Sequence, residues 1–335
     1  MDAAHIQAAG SGGGRLRHLR VLTDGKIGDL VQCRGIAARL DAELVDERVV
    51  RLAGWRALPL LTGVPRPQRA DRPDSPVAPH RDHGWPDLVL ASGRRTLPFL
   101  KTLRRAAPEV RIAFLKDPRG RWRDLADVIW APSHDRLPDD PRFLATDTSP
   151  HGLTQDRLAA ALERAGERFG ALEGPTTGIV LGGDTGSVRW SARSSHALAT
   201  LLADALRNEP GTVLVTTSRR TPAVLAGAVR AALPRAWFDD GTENAYAQIL
   251  AVADRVMVTG DSHNMVSEAL VRGAPVHVHR PPRLSSKLHR FLDTMTERGA
   301  VRTLRAPLER FDGLAVDASA EIARGIRERL FASGG

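Results

Sequence analysis

One cysteine, one tyrosine and four lysines are the scarcest reactive residues in this 335-residue chain. A lone Cys33 rules out an internal disulfide framework and any multi-cysteine metal site. It falls in a helical pattern, where a small packing residue is the plainer reading than a nucleophile. The single tyrosine, with no RRM-type stacking motif and no long basic run, argues against nucleic acid as partner. No apolar run approaches the roughly 20 residues that span a bilayer. The first 14 residues lack an apolar signal core and read as a disordered tail. A cytoplasmic protein is expected, with peripheral association at the inner membrane left open. The dinucleotide fingerprint G-x-G-x-x-G and the Walker A sequence are both missing. No set of His, Asp or Glu has metal-ligand spacing, so no metal is expected.

What the chain does have is charge of one kind. The formal balance is +9, and 44 of the 48 basic residues are arginine. Genomic preference for arginine codons accounts for most of that bias; attraction to phosphate, on a small ligand or an anionic surface, is the functional alternative.

Short apolar strands alternate with helical patterns in two series. Leu19 to Thr23, Glu43 to Val50, Asp87 to Leu90, Arg111 to Leu115 and Asp127 to Trp130 form the first. Residues 63 to 86, rich in Pro, Arg and Asp, read as a long loop. A helix from Thr154 to about Leu172, with Leu158, Leu162 and Phe169 on one face, reads as a bridge. The second series holds Gly178 to Leu181, Thr212 to Thr216, Arg255 to Thr259 and Pro275 to His279, with helices over Ser191–Arg207 and Asn264–Arg272. A last helix covers Ala318 to Phe331. The implied fold class is α/β: two doubly wound, Rossmann-like parallel-sheet domains facing a cleft. Their expected limits are 15–153 and 173–317, joined by 154–172, with 318–333 packing back on the first. Ligands in such sheets gather beyond the carboxyl ends of the strands.

The loops there carry the candidates. Gly260-Asp261-Ser262 links a strand to a helix bearing Met265, Ser267 and Glu268. Backbone N–H groups and the helix dipole would favour phosphate, and Glu268, nearly two turns on, could accept from ribose hydroxyls. A plain N-cap with a solvated glutamate fits as well. Ser218-Arg219-Arg220-Thr221-Pro222 offers two guanidinium groups to an anion, or simply caps a helix and leaves its arginines in solvent. Gly182-Gly183-Asp184 allows close backbone approach. In the first series Asp24-Gly25-Lys26-Ile27-Gly28 supplies a candidate base, Asp24, with Lys26, Gly25 and Gly28 for acceptor or phosphate. Asp-Gly is also an ordinary turn pair. Asp117 and His134 are secondary candidates for base work, and Asp239-Asp240 is read as solvated.

Thr217-Ser218-Arg219-Arg220-Thr221-Pro222, Ala253-Asp254, Val258-Thr259-Gly260-Asp261-Ser262, Met265-Val266-Ser267-Glu268-Ala269 and Gly273-Ala274-Pro275-Val276 resemble the mitochondrial-fission "elongated mitochondria" family, which is named for a plant protein and has many bacterial members. Asp24-Gly25-Lys26-Ile27-Gly28 with Gln32, and Pro132-Ser133-His134-Asp135, also fit it. His263-Asn264 stands where a more hydrophobic pair is usual, and Ala245 where Pro is usual. The resemblance, over residues 18 to 305, implies a GT-B-like fold related to nucleotide-sugar transferases. On that basis a metal-independent glycosyltransferase is expected. It would have no cofactor, a nucleotide-sugar donor, and an acceptor left open (a cell-envelope molecule among the options). A non-catalytic adaptor is the alternative, and an epimerase or hydrolase of nucleotide sugars a second one.

Overall fold

The computed structural model describes residues 16–50, 69–70, 72–135, 137–239, 241 and 245–332. The expected tail, much of the loop before residue 69, Asp240 and Asn244 lie outside them. The chain forms two compact units: one of 1–131, 139–144 and 320–335, the other of 132–138 and 145–319.

The first unit holds a six-stranded sheet of β1 (His18–Thr23), β2 (Leu44–Val49), β3 (Leu88–Ser92), β4 (Arg111–Leu115), β5 (Val128–Pro132) and β6 (Phe143–Thr146), in the order β2-β1-β3-β4-β5-β6. β1 pairs in parallel with β2 on one side and β3 on the other. Every residue of β1, β3 and β5 is buried, which is why these strands read as unbroken runs rather than alternating ones. β2, at the edge, alternates between half-buried and exposed. Helices α1 (Ile27–Ala37) and α2 (Leu97–Ala106) follow β1 and β3. The described part of the long loop is anchored: Arg20, fully buried in β1, donates to the Ala78 carbonyl at 2.6 Å and forks onto Asp46 of β2.

The second unit opens with α3 (Gln155–Phe169), which Thr154 caps and Gly170 ends at φ +68°. Its inward face is Leu158, Ala161 and Ala165; Leu162, expected on that face, is 53% exposed. The helix belongs to this unit and packs on α6 (Tyr246–Val252). The six strands are β7 (Thr176–Leu181), β8 (Thr212–Thr217), β9 (Trp237–Phe238), β10 (Arg255–Thr259), β11 (Val276–His279) and β12 (Val301–Thr303). They lie in the order β12-β11-β10-β7-β8-β9, all paired in parallel. Read in chain order this is the doubly wound 3-2-1-4-5-6 arrangement. Helices α4 (Ala192–Leu206), α5 (Ala223–Ala232), α7 (His263–Ala269) and α8 (Ser286–Glu297) complete the unit. α9 (Ala318–Leu330) returns to the first unit, where Arg327 donates to the Leu40 carbonyl and Arg329 to that of Phe143 at 3.0 Å. Two doubly wound α/β units are what the alternating pattern implied. No described helix is long and apolar enough to cross a membrane.

Candidate functional site

Strand order fixes where each sheet opens. In the second unit the order of strand addition reverses between the parallel strands β7 and β10, so the loops after them lead to opposite sides of the sheet and leave room for a ligand. Gly182-Gly183 follows β7 and Asp261 follows β10. A Cβ on Gly182 would overlap the Asp261 carboxylate, and one on Gly183 the Arg220 carbonyl. Gly183 N donates to Asp261 Oδ2 at 3.0 Å and Gly182 N to Thr259 Oγ1 at 2.7 Å. The glycine pair therefore serves approach between the protein's own loops rather than toward a ligand backbone. Burial raises the Asp261 carboxyl pKa, and its Oδ1 is buried with no hydrogen-bond partner.

The turn after β8 is locked from inside. Ser218 N donates to Thr221 Oγ1 at 2.8 Å, Arg220 N to Ser218 Oγ at 3.2 Å, and Thr221 Oγ1 to the Gly182 carbonyl at 2.6 Å. Both hydroxyls are spent on the turn, while the side chains of Arg219 and Arg220 are exposed and carry no ion pair among the described residues. The turn is thus a rigid mount for two unneutralised guanidinium groups.

The α7 end is less open to phosphate than the sequence implied. The helix has seven residues, ending at Ala269 instead of Arg272, so its dipole is short; Ser262 Oγ already accepts from Met265 N at 3.5 Å. Ser267 is buried: its hydroxyl donates to the His263 carbonyl at 2.8 Å and accepts from Ser149 N at 3.0 Å. That role is structural. Glu268 accepts from the Tyr246 hydroxyl at 2.7 Å, and burial raises the pKa of both groups. The lone tyrosine, which was not among the candidates, is therefore the residue that holds Glu268. Asp239, expected in solvent, accepts from Thr216 Oγ1 at 3.1 Å and Ala245 N at 3.2 Å, and lies 3.6 Å from Arg168.

His134, placed by sequence in the first domain, clusters with the second unit. Its side chain is 5% exposed and meets the His263 ring edge-on, with Phe291 alongside. Burial lowers its pKa. A ring so enclosed suits packing better than base work. His263 itself bonds Ser149 Oγ and the Asp147 carbonyl, and burial lowers its pKa to about 3. His279, stacked on Trp190, is lowered to about 4 by the same cause.

These two histidines make an acid-sensitivity prediction. Their folded pKa values lie below the ordinary 6.5, so between pH 6.5 and 4 the unfolded chain binds more protons and stability falls as pH falls. The slope is about 1.4 kcal/mol per histidine per pH unit. Thermal melts at pH 7.5, 6.5 and 5.5 are expected to show a drop already in the last interval. An unchanged melting temperature there would mean that both rings take up protons in the folded state.

In the first unit the reversal falls between β1 and β3. Asp24, just beyond β1, lies across Gly93, just beyond β3. Gly93 has φ +96°, and a Cβ there would sit 2.6–2.7 Å from the Asp24 carboxylate oxygens. The Asp24 side chain is 4% exposed, with Lys26 Nζ at 3.5 Å from Oδ2 and Oδ1 buried without a hydrogen-bond partner among the described residues. Gly25 takes φ +86° to make the turn, and Gly28 faces open space in the first turn of α1. Asp117 is not brought to this point as a free carboxylate. Arg123 grips both its oxygens at 2.8 and 2.7 Å, which holds its pKa below the usual carboxylate range. That pair sits six residues apart across an irregular turn, a spacing with no sequence signature. Ser92, Gly93, Asp29 and Lys116 were not anticipated; Lys116 Nζ bonds Asp29 Oδ1. Among the described residues no three His, Cys, Asp or Glu side chains are grouped to hold a metal ion.

A family model described as "Mitochondrial fission ELM1" matches residues 28–330, nearly the whole chain. The chain belongs to the mitochondrial fission ELM1 family. Mitochondrial fission protein ELM1 of Arabidopsis thaliana is 29% identical over 279 residues, covering 74% of this chain and 65% of that protein. This ELM1-family chain thus spans less than two thirds of that relative's length. Uncharacterized protein RP120 of Rickettsia prowazekii (strain Madrid E) is 21% identical over 253 residues, covering 65% of this chain and 71% of its own. Among solved structures, a UDP-glucosyltransferase from Polygonum tinctorium aligns with TM-score 0.49 and 13% identity over 96% of this chain and 91% of the other. MurG of Acinetobacter baumannii aligns with TM-score 0.45 and 12% identity over 94% and 90%. UDP-GlcNAc 2-epimerase of Neisseria meningitidis, solved with UDP-GlcNAc, gives 0.47 and 11% over 93% and 91%.

Proposed function

We propose that this ELM1-family protein is a glycosyltransferase whose second unit binds the diphosphate of a nucleotide sugar and whose first unit supplies the acceptor and its base. The observation that carries the reading is the turn after β8: Arg219 and Arg220 stand exposed, unpaired and rigidly mounted beside the β7/β10 opening. Guanidinium groups fork onto phosphate oxygens, and two of them can stabilise a departing diphosphate without a metal ion. Glu268, held by Tyr246, is the group for the ribose hydroxyls. Asp24 takes the proton from the acceptor hydroxyl as its oxygen attacks the anomeric carbon and the diphosphate leaves.

The test is thermal stabilisation by a panel of nucleoside diphosphates and nucleotide sugars. A ligand at 100 times its Kd adds about 2.7 kcal/mol, and the shift is expected to vanish in the Arg219→Ala/Arg220→Ala double variant. No shift with any nucleotide would sink the reading. It would favour the adaptor alternative, which the name of the plant relative supports.

A further inference from the structure

We propose that the β1/β3 opening of the first unit is a site for a phosphoester that also carries a free hydroxyl, its phosphate on Lys26 and Lys116 and its hydroxyl on Asp24. The proposal names the acceptor class for the transferase reading and rests on it in that sense; the site itself is argued from the first unit alone.

Two buried polar groups at this opening have no hydrogen-bond partner among the described residues. Among the described residues Asp24 Oδ1 accepts no hydrogen bond although its side chain is 4% exposed, and the hydroxyl of Ser92, fully buried, makes none either. Ser92 is the register partner of Thr23, so it sits one residue from Asp24 across the strand pair. Gly93, next in the chain, has its Cα under the same carboxylate. A buried carboxylate oxygen with an empty lone pair is matched by a donor, and a ligand hydroxyl is one.

Two ammonium groups here are reachable, each beside a carboxylate: Lys26 Nζ lies 3.5 Å from Asp24 Oδ2, and Lys116 Nζ bonds Asp29. The Lys26 side chain is 70% exposed and that of Lys116 51%. Lys116, the residue after β4, has φ +71°, a backbone state rare for a side-chain-bearing residue and found where surroundings impose it. Lys26 is the N-cap of α1, an eleven-residue helix, and its side chain does not cap it. Gly28, in the first turn of that helix, has no described atom within 4 Å of where its Cβ would stand.

Two of only four lysines in the chain stand here, where arginine is otherwise the rule. The difference is chemical. A guanidinium at position 26 would fork onto both Asp24 oxygens, whereas an ammonium is a point charge that leaves Oδ1 free. Asp24 can then accept from a hydroxyl while the neighbouring charges hold the phosphate that marks the ligand. A phosphate alone would engage the two ammonium groups and leave the carboxylate oxygen unmatched, which is why the hydroxyl belongs to the proposed class.

The same chemistry occurs in soluble phosphoesters and in lipid headgroups, and the experiment separates them. Binding to the full chain is measured by calorimetry with inorganic phosphate and with glycerol 3-phosphate, and by co-sedimentation with vesicles of phosphatidylglycerol or of phosphatidylcholine. Glycerol 3-phosphate is expected to bind at least tenfold more tightly than phosphate, and Lys26→Met/Lys116→Met to weaken it at least tenfold. Lys26→Met alone, at an exposed position that perturbs no packing, is expected to show part of that loss. Asp24→Asn is expected to narrow the preference over inorganic phosphate. Co-sedimentation with phosphatidylglycerol but not phosphatidylcholine, lost in the lysine variants, assigns the lipid source; binding of the soluble ester alone assigns the free one.

Absence of binding by both ester and vesicles overturns the proposal, as does binding that the lysine variants leave intact. Arg219→Ala/Arg220→Ala is expected to leave glycerol 3-phosphate binding unchanged. Loss of nucleotide binding and loss of ester binding are therefore separate failures.

Discussion

Gly183→Ala is expected to destabilise the second unit by about 3–4 kcal/mol, at the upper end of single-residue effects. The added methyl would overlap the Arg220 carbonyl and lie close to Thr221 N. Both are backbone atoms, so no side chain can swing aside, and overpacking against fixed atoms is the costly kind. Relief can come only by moving the turn that mounts Arg219 and Arg220. Asp184 N donates to the same carbonyl at 3.0 Å and would be dragged with it. Nucleotide binding should therefore fall together with stability. Gly186→Ala, in the same loop but facing open space, is the control, expected within about 0.5 kcal/mol of wild type. Urea denaturation of both variants checks this: equal midpoints would mean that the two turns are not in fixed contact.

Asp24→Asn is expected to lower turnover by roughly 10²- to 10⁴-fold, the span of a lost general base. Asparagine has the same outline, so it still fits over Gly93 and beside Lys26, and the fold should be kept. What changes is the capacity to take a proton. Release of nucleoside diphosphate from the donor sugar is the rate to follow, with thermal stabilisation by the nucleotide as the companion measurement. A fall in rate with nucleotide binding intact assigns Asp24 to the chemical step. Undiminished turnover would place the base elsewhere.

The fold was legible where apolar runs are long and both sheet faces are covered. Arg111–Leu115 and Arg255–Thr259 have the limits their residues imply. The short strands Phe143–Thr146, Trp237–Phe238 and Val301–Thr303 were missed, since two to four residues of mixed polarity carry no period. Helices Tyr246–Val252 and Ser286–Glu297 went unassigned as well; the first has only seven residues, whereas the second does carry a helical period in Leu288, Phe291, Leu292 and Met295. For the site, loop position was readable and partnership was not. Sequence put Gly182-Gly183, Ser218 and Asp261 at strand ends. It could not say that they would satisfy one another, because those contacts join residues about 40 to 80 positions apart. Arg219 and Arg220 were readable as cations, and only the structure separates them from the many arginines that are already paired. His134 and Asp117 looked free in the sequence because the ring packing and the Arg123 grip that occupy them are tertiary.

Residues 145–319 interrupt the first unit, whose last described element, α9, follows them in the chain. On a ribosome working at about 5–20 residues per second, the nascent first unit waits roughly 10–35 s for that helix. Throughout that time the surface awaiting Ile322, Ala323 and Ile326, all buried in the finished chain, stands uncovered. The second unit, contiguous apart from residues 132–138, can close first. Newly made chains should therefore need protection at the first unit, and a stop codon just before α9 should yield a product that aggregates through it while its second unit stays folded.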